Sequence, residues 1–174
     1  MRDPLVTYLN DHLAGAKFAV EMLEELRDSH AEPEINHLGG EILEEVSQDV
    51  RVLRELVSTL DTAQTGRMKE AMGWLGERAA RMKLRHRAAK QPGTLESLEL
   101  LALGIWGKHS LWTALARASA NDPRLQGMDY DQLAARARSQ YERVEAFRLR
   151  AAESELNPAW AASRQTRAGV SVKS

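Results

Sequence analysis

The sequence predicts an all-α fold: a bundle of four long helices with a helical crossover between the second and the third. Three observations lead there. Apolar residues recur at steps of three and four along four separate stretches, the spacing of one face of a helix. Two of those stretches open on side chains that cap helix starts, at Asp3 and Asp129. The interval between the second and third stretches carries a helical pattern of its own.

Asp3-Pro4 begins the first helix, because Asp accepts from the first free amide groups and Pro has no amide donor to lose. Its seam is Leu5, Leu9, His12, Ala16, Ala19, Leu23 and Leu26. Residues 28–34, with Pro33, break the pattern. A second seam then runs through Leu43, Val46, Val50, Leu53, Val57 and Leu60, and the short connection makes the two helices antiparallel neighbours. Residues 66–89 hold Met68, Met72, Leu75, Ala79 and Met82 at helical spacing. At about 1.5 Å per residue that segment reaches roughly 30 to 35 Å, enough to return the chain along the bundle. The third helix, 95–118, is apolar nearly all the way round and belongs at the centre. The fourth opens at Met128-Asp129, where Gln132 completes a capping box and Met128 can staple onto Leu133, and continues through Ala137, Val144, Phe147 and Ala151. The resulting order is up, down, crossover, down, up.

Residues 1–156 form the bundle in this reading, and 157–174 form a flexible basic tail with Arg164, Arg167 and Lys173 but no acid. At 174 residues the chain is long enough for one core. A formal net charge of −1 gives no chain-wide reason to bind nucleic acid. Without cysteine there is no disulfide, thiolate metal site or thiol nucleophile. The sequence shows neither a signal peptide nor a membrane span, so the expected location is cytoplasmic. Leu38-Gly39-Gly40-Glu41 lacks the Lys and Ser/Thr of a phosphate-binding loop. Arg78, Arg81, Lys83, Arg85, Arg87 and Lys90 make the end of the crossover basic, with Trp74 and Trp160 as added aromatic surface. No reader motif accompanies them, and the run is read as a solvated face that balances Glu41, Glu44 and Glu55.

Tyr8-Leu9-Asn10-Asp11-His12-Leu13-Ala14-Gly15, Glu44-Glu45 with Asp49, Trp74-Leu75, Leu98-Glu99, Gly107-Lys108, Leu111-Trp112 and Gln140 with Glu145 carry a family resemblance. On these stretches the chain resembles the ferritin-like superfamily, in particular small bacterial ferritin-like proteins of the YciE and YciF kind and a bacterial group with no assigned activity. The resemblance covers roughly residues 5–156 and implies the ferritin-like up-down-down-up bundle. Di-iron members place a Glu on each of two helices and a Glu-x-x-His on each of the other two. This chain departs from that pattern. The second helix reads Glu45-Val46-Ser47-Gln48 and the fourth Glu142-Arg143-Val144-Glu145. Its one Glu-x-x-His, Glu34 to His37, falls in the first turn of the second helix, where a solvated position is expected.

Setting each residue 100° from the last places His12, Glu45, Asp49, His109, Gln140 and Arg148 on inward arcs, with Glu99 at an edge and Glu142 pointing outward. His12, Asp49, His109 and Gln140 come to about one level, Glu99 and Arg148 to another, and Glu45 lies between them near Lys17. A buried charge needs a partner, so Asp49 is expected to accept from a histidine and Glu99 to pair with Arg148 in a buried or half-buried bridge. Two readings of the first group stay open: a polar network with Glu45, Glu99 and Arg148 that fixes helix register, or a single metal ion such as zinc on His12, Asp49, His109 and Gln140. A His-Asp pair also suits acid/base chemistry, although no nucleophile or substrate pocket is visible beside it. Trp106, Leu111, Trp112 and Leu115 spread over too many faces for one seam, which predicts a homodimer. The functional expectation is a non-enzymatic interaction or stress-associated protein without a cofactor, the stress association coming from the resemblance alone. The alternative is a metal-binding ferritin-like protein with redox activity, holding zinc, iron or manganese as a single metal or a degenerate di-iron centre.

Overall fold

The computed structural model describes residues 3–61 and 93–157. Over these residues the chain is four α-helices and one short 3-10 turn, with no strand. The helices are α1 (Pro4–Ser29), α2 (Pro33–Asp61), α3 (Thr94–Ser119) and α4 (Tyr130–Leu156). The residues read as the crossover, 66–89, and nearly all of those read as the tail lie outside the described residues, with Trp74, Trp160 and the basic run.

Local chemistry sets the helix ends. Asp3 caps α1 by accepting from the Leu5 amide at 2.9 Å, with Pro4 in the first turn. Asp129 caps α4 by accepting from the Gln132 amide at 2.9 Å. The 3-10 turn Pro123–Leu125, absent from the sequence reading, forms because the Asp122 carboxylate accepts from the Arg124 amide at 3.0 Å. It drives Leu125 into the core. Gly127 then takes φ 89°, a left-handed conformation that costs glycine little, and turns the chain into α4.

Polar clasps at the helix ends give the directions. At one end Arg124 donates to Asp3 at 2.6 Å, joining the start of α1 to the turn between α3 and α4. At the other, Nδ1 of His30 accepts from the Glu32 amide at 3.0 Å, so the proton is on Nε2, which meets Thr94 Oγ1 at 2.8 Å. Glu155 of α4 accepts from the Leu95 amide at 2.9 Å, and Arg150 of α4 reaches Glu34 of α2 at 3.1 Å. Thus α1 opposes α3 and α2 opposes α4, so α2 and α3 run the same way. The last turn of α2 and the first turn of α3 stand at opposite ends of the bundle.

Two apolar clusters fill the interior. The one nearer the α1–α2 turn gathers Leu23, Leu26, Leu38, Ile42, Val46, Leu98, Leu101, Ile105 and Val144. The other gathers Leu9, Leu53, Leu56, Leu60, Leu111, Trp112, Leu115, Leu125, Leu133 and Ala137. Met128 packs against this second cluster, of which Leu133 is a member. Trp112 is 1% exposed, and Leu111 and Leu115 are buried as well. This corrects the expectation that these three reach the surface: α3 meets α4 along its whole length and α1 on a second side, so two seams cover it. Of that group only Trp106 remains open, at 46%.

Candidate functional site

The chain changes character between the two clusters. Asp49 on α2 is 2% exposed and Gln140 on α4 is 0% exposed, the two buried polar side chains among the described residues. Between them stands Lys108 of α3, its side chain 14% exposed. Its ammonium donates to Asp49 Oδ2 at 2.5 Å and to Gln140 Oε1. Arg136 of α4 takes the other Asp49 oxygen. Gln140, its oxygen fixed by the ammonium, turns its amide nitrogen outward and donates to Glu45 Oε2 at 2.9 Å. Arg143 completes the chain with a 2.5 Å bond to Glu45 and a 3.7 Å contact to Glu41. The layer therefore joins α2, α3 and α4, and its acids Asp49, Glu45 and Glu41 meet an equal number of cations in Lys108, Arg136 and Arg143.

Burial pushes the Lys108 ammonium below its ordinary 10.5, with Asp49 pulling in the opposite direction. Burial also raises Glu45, but hydrogen bonds from Gln140 and Arg143 outweigh it and hold the carboxyl below 4.5. With its folded value depressed, Glu45 stabilises the protein fully above 4.5, and that contribution is lost as pH falls through the folded value. Glu45→Gln is therefore expected to reduce the loss of stability on acidification from pH about 5 to about 3, measured by urea unfolding at each pH.

Several sequence expectations need correction. Asp49 accepts from Lys108 and Arg136, not from a histidine, because long basic side chains from α3 and α4 reach it first. His12 is half-buried, with its ring edge-on to Tyr8 at 4.7 Å, since α1 packs more closely on α2 than on α3 and leaves that flank partly open. His109 is half-buried and stacks on Trp106 at 4.9 Å. Of the set His12, Asp49, His109 and Gln140, the structure thus joins Asp49 to Gln140 through Lys108 and gives each histidine an aromatic neighbour. Glu45 belongs to the same layer as these two, not to a separate level near Lys17. No group of three or more His, Asp or Glu residues placed to hold a metal ion occurs among the described residues.

The expected Glu99–Arg148 pair forms at 3.3 Å, with Arg148 half-buried and Glu99 exposed. Arg148 makes its tighter bonds to Glu145, both at 2.7 Å, because a residue three positions away on the same helix is within reach without any packing. Arg148→Met is accordingly expected to leave the thermal midpoint almost unchanged in a melting experiment. The Glu34–His37 turn is solvent-facing, as read: Glu34 pairs with Arg150 and His37 with Glu41. Glu142 points to solvent and pairs with Arg138 at 3.1 Å.

Sequence reasoning missed Lys108, Arg136 and Arg143. A signal for Lys108 was present: Leu101, Ile105, Leu111, Trp112 and Leu115 sit seven and three residues before it and three, four and seven after it, and all are buried. A lone lysine in such a stripe has to take its charge inside. The arginines carry a weaker signal, since Arg136, Gln140 and Arg143 share one helical stripe on α4.

His12 gives a second pH effect. Burial lowers its imidazole below 6.5, opposed by Asp11. Between the folded value and 6.5 the unfolded chain binds the proton better, so stability from this group falls as pH drops through that window. His12→Gln is expected to flatten the pH dependence just below 6.5, read by urea unfolding at closely spaced pH values.

Comparison with protein-family models, with curated proteins and with solved structures returns no match. Among the described residues no helix is long and apolar enough to cross a membrane.

Proposed function

We propose that this chain is a ferritin-like up-down-down-up bundle, with residues 66–89 as its crossover, that acts as a non-enzymatic interaction or stress-associated cytoplasmic protein and associates as a homodimer. The observation that carries the non-enzymatic part is the Lys108 ammonium between Asp49 and Gln140, with Arg136 on the remaining Asp49 oxygen. Ferritin-like metal chemistry needs carboxylates that charge-balance cations from solution. In this layer the protein's own cations take that role. A metal ion at Asp49 would have to displace two charged side chains, one of them largely enclosed. The parallel course of α2 and α3 supports the topology, because their connection must then link opposite ends of the bundle. The stress association rests on the resemblance to the YciE and YciF kind alone.

Elemental analysis of protein purified without chelators, run beside His12→Ala and Asp49→Ala, tests the reading. The expected result is metal far below one equivalent in all three proteins. Stoichiometric zinc, iron or manganese that disappears in either variant would replace it with the metal-binding alternative.

A further inference from the structure

Two of the five exposed large hydrophobic side chains among the described residues lie on the outward face of α3. Over Glu96, Glu99, Leu103, Trp106, Ser110, Thr113, Ala114 and Arg117 the exposed positions follow one stripe of the helix. Between Glu99 and Arg117 that stripe holds no charge, and it presents Leu103 at 69% and Trp106 at 46% exposure. Gly104 and Gly107 border it, and a methyl group added at either would meet nothing within 4 Å, so a partner surface can come close to the backbone there. The ends carry opposite signs, acid at Glu96 and Glu99 and base at Arg117. Arg117 makes no ion pair among the described residues.

A helix face with an apolar middle and opposite charges at its ends complements itself when reversed. We infer that a second copy of this chain docks on this face, α3 against α3 antiparallel, about a two-fold axis at the level of residue 108, whose own side chain points the other way, into the core. That register brings Glu99 of each copy opposite Arg117 of the other and Trp106 opposite Ser110. The inference rests on the homodimer reading above and adds the surface and register to it. The stripe from Glu96 to Arg117 is about 32 Å long at 1.5 Å per residue, and one helix per copy covers less than the roughly 800 Å² of a standard stable interface. The pairing is therefore weak and belongs to the micromolar range.

Sedimentation equilibrium of the full chain from about 1 to about 500 μM, with helicity checked by circular dichroism, tests it. The expected mass rises from 19.5 kDa towards twice that value. Trp106→Glu abolishes the rise without loss of helicity. Arg117→Glu weakens association at least tenfold, and so does Glu99→Arg, which also gives up the contact with Arg148. The double reversal Glu99→Arg with Arg117→Glu restores association, because each pair again has opposite signs. A dimer that survives Trp106→Glu and both single reversals overturns this surface while leaving the homodimer reading intact. A wild-type chain that stays at single-chain mass throughout overturns both. Association lost in the single reversals and not regained in the double one overturns the antiparallel register. Trp106→Glu that lowers the melting temperature of a constant-mass protein would show the face covered by its own chain.

Discussion

Asp49→Ala is expected to destabilise the protein by about 3–5 kcal/mol, the largest effect of any single polar substitution in the described residues. The carboxylate is buried and accepts from two cations, and its removal leaves Lys108 enclosed with only the Gln140 oxygen as partner. Arg136 suffers less, since its side chain is one-third exposed and can turn to water. Asp49→Leu combined with Lys108→Met is expected to recover part of the loss by removing the stranded charge as well. The penalty also shrinks as pH rises. Lys108 is already held below 10.5, so between its folded value and 10.5 the unfolded chain binds the proton more tightly and stability from this group grows with pH. Without Asp49 the folded value drops further and the window widens. Urea unfolding of wild type and both variants at neutral and alkaline pH checks the size and the sign.

Gly39→Val is expected to cost about 3 kcal/mol, at the upper end of the usual range for overpacking. A Cβ at Gly39 would lie 2.9 Å from the Arg27 backbone nitrogen and 3.2 Å from the Leu26 Cβ. Neither atom is the end of a flexible side chain, so α1 and α2 would have to separate near their turn, disturbing Leu23, Leu26, Leu38 and Ile42 in the adjoining cluster. Gly15 on α1 is the matched control, exposed and with nothing within 4 Å of an added Cβ. There Gly15→Ala is expected to stabilise by about 0.5–1 kcal/mol, because alanine has less backbone entropy to lose in a helix. Thermal unfolding of the two variants side by side separates contact from propensity. Equal shifts of the same sign would contradict the close approach of α1 and α2.

The helices were legible because their signals are local. Asp3-Pro4 and Asp129 mark helix starts through hydrogen bonds made within a few residues, Pro33 breaks the pattern between the first two helices, and the apolar steps depend on one helix at a time. The turn at Pro123–Leu125 was equally local but went unread, although Asp122 before a proline is the arrangement that produces it.

The polar layer was legible in part. An inward arc on α2 and another on α4 found Asp49, Glu45 and Gln140, since short side chains go where their Cα points. It failed for Lys108, Arg136 and Arg143, whose heads sit several bonds from the backbone, so angular position alone does not say where the charge ends up. It misjudged His12 and His109 for the opposite reason: each lies near the apolar arc of its helix, but burial depends on how closely a neighbouring helix covers that level, which only the assembled bundle decides.

The central claim is that an internal ammonium, not a bound metal, serves as the cation of this layer. Lys108 Nζ reports on it most directly, through a pH titration of the lysine side-chain signals by heteronuclear NMR, with Lys108 assigned by its loss in Lys108→Arg. The account predicts that Lys108 titrates below the other lysines and below 10.5, and that Asp49→Asn lowers it further by removing the anion that favours its charge. A Lys108 that titrates at or above 10.5 alongside the surface lysines, with no response to Asp49→Asn, would contradict it.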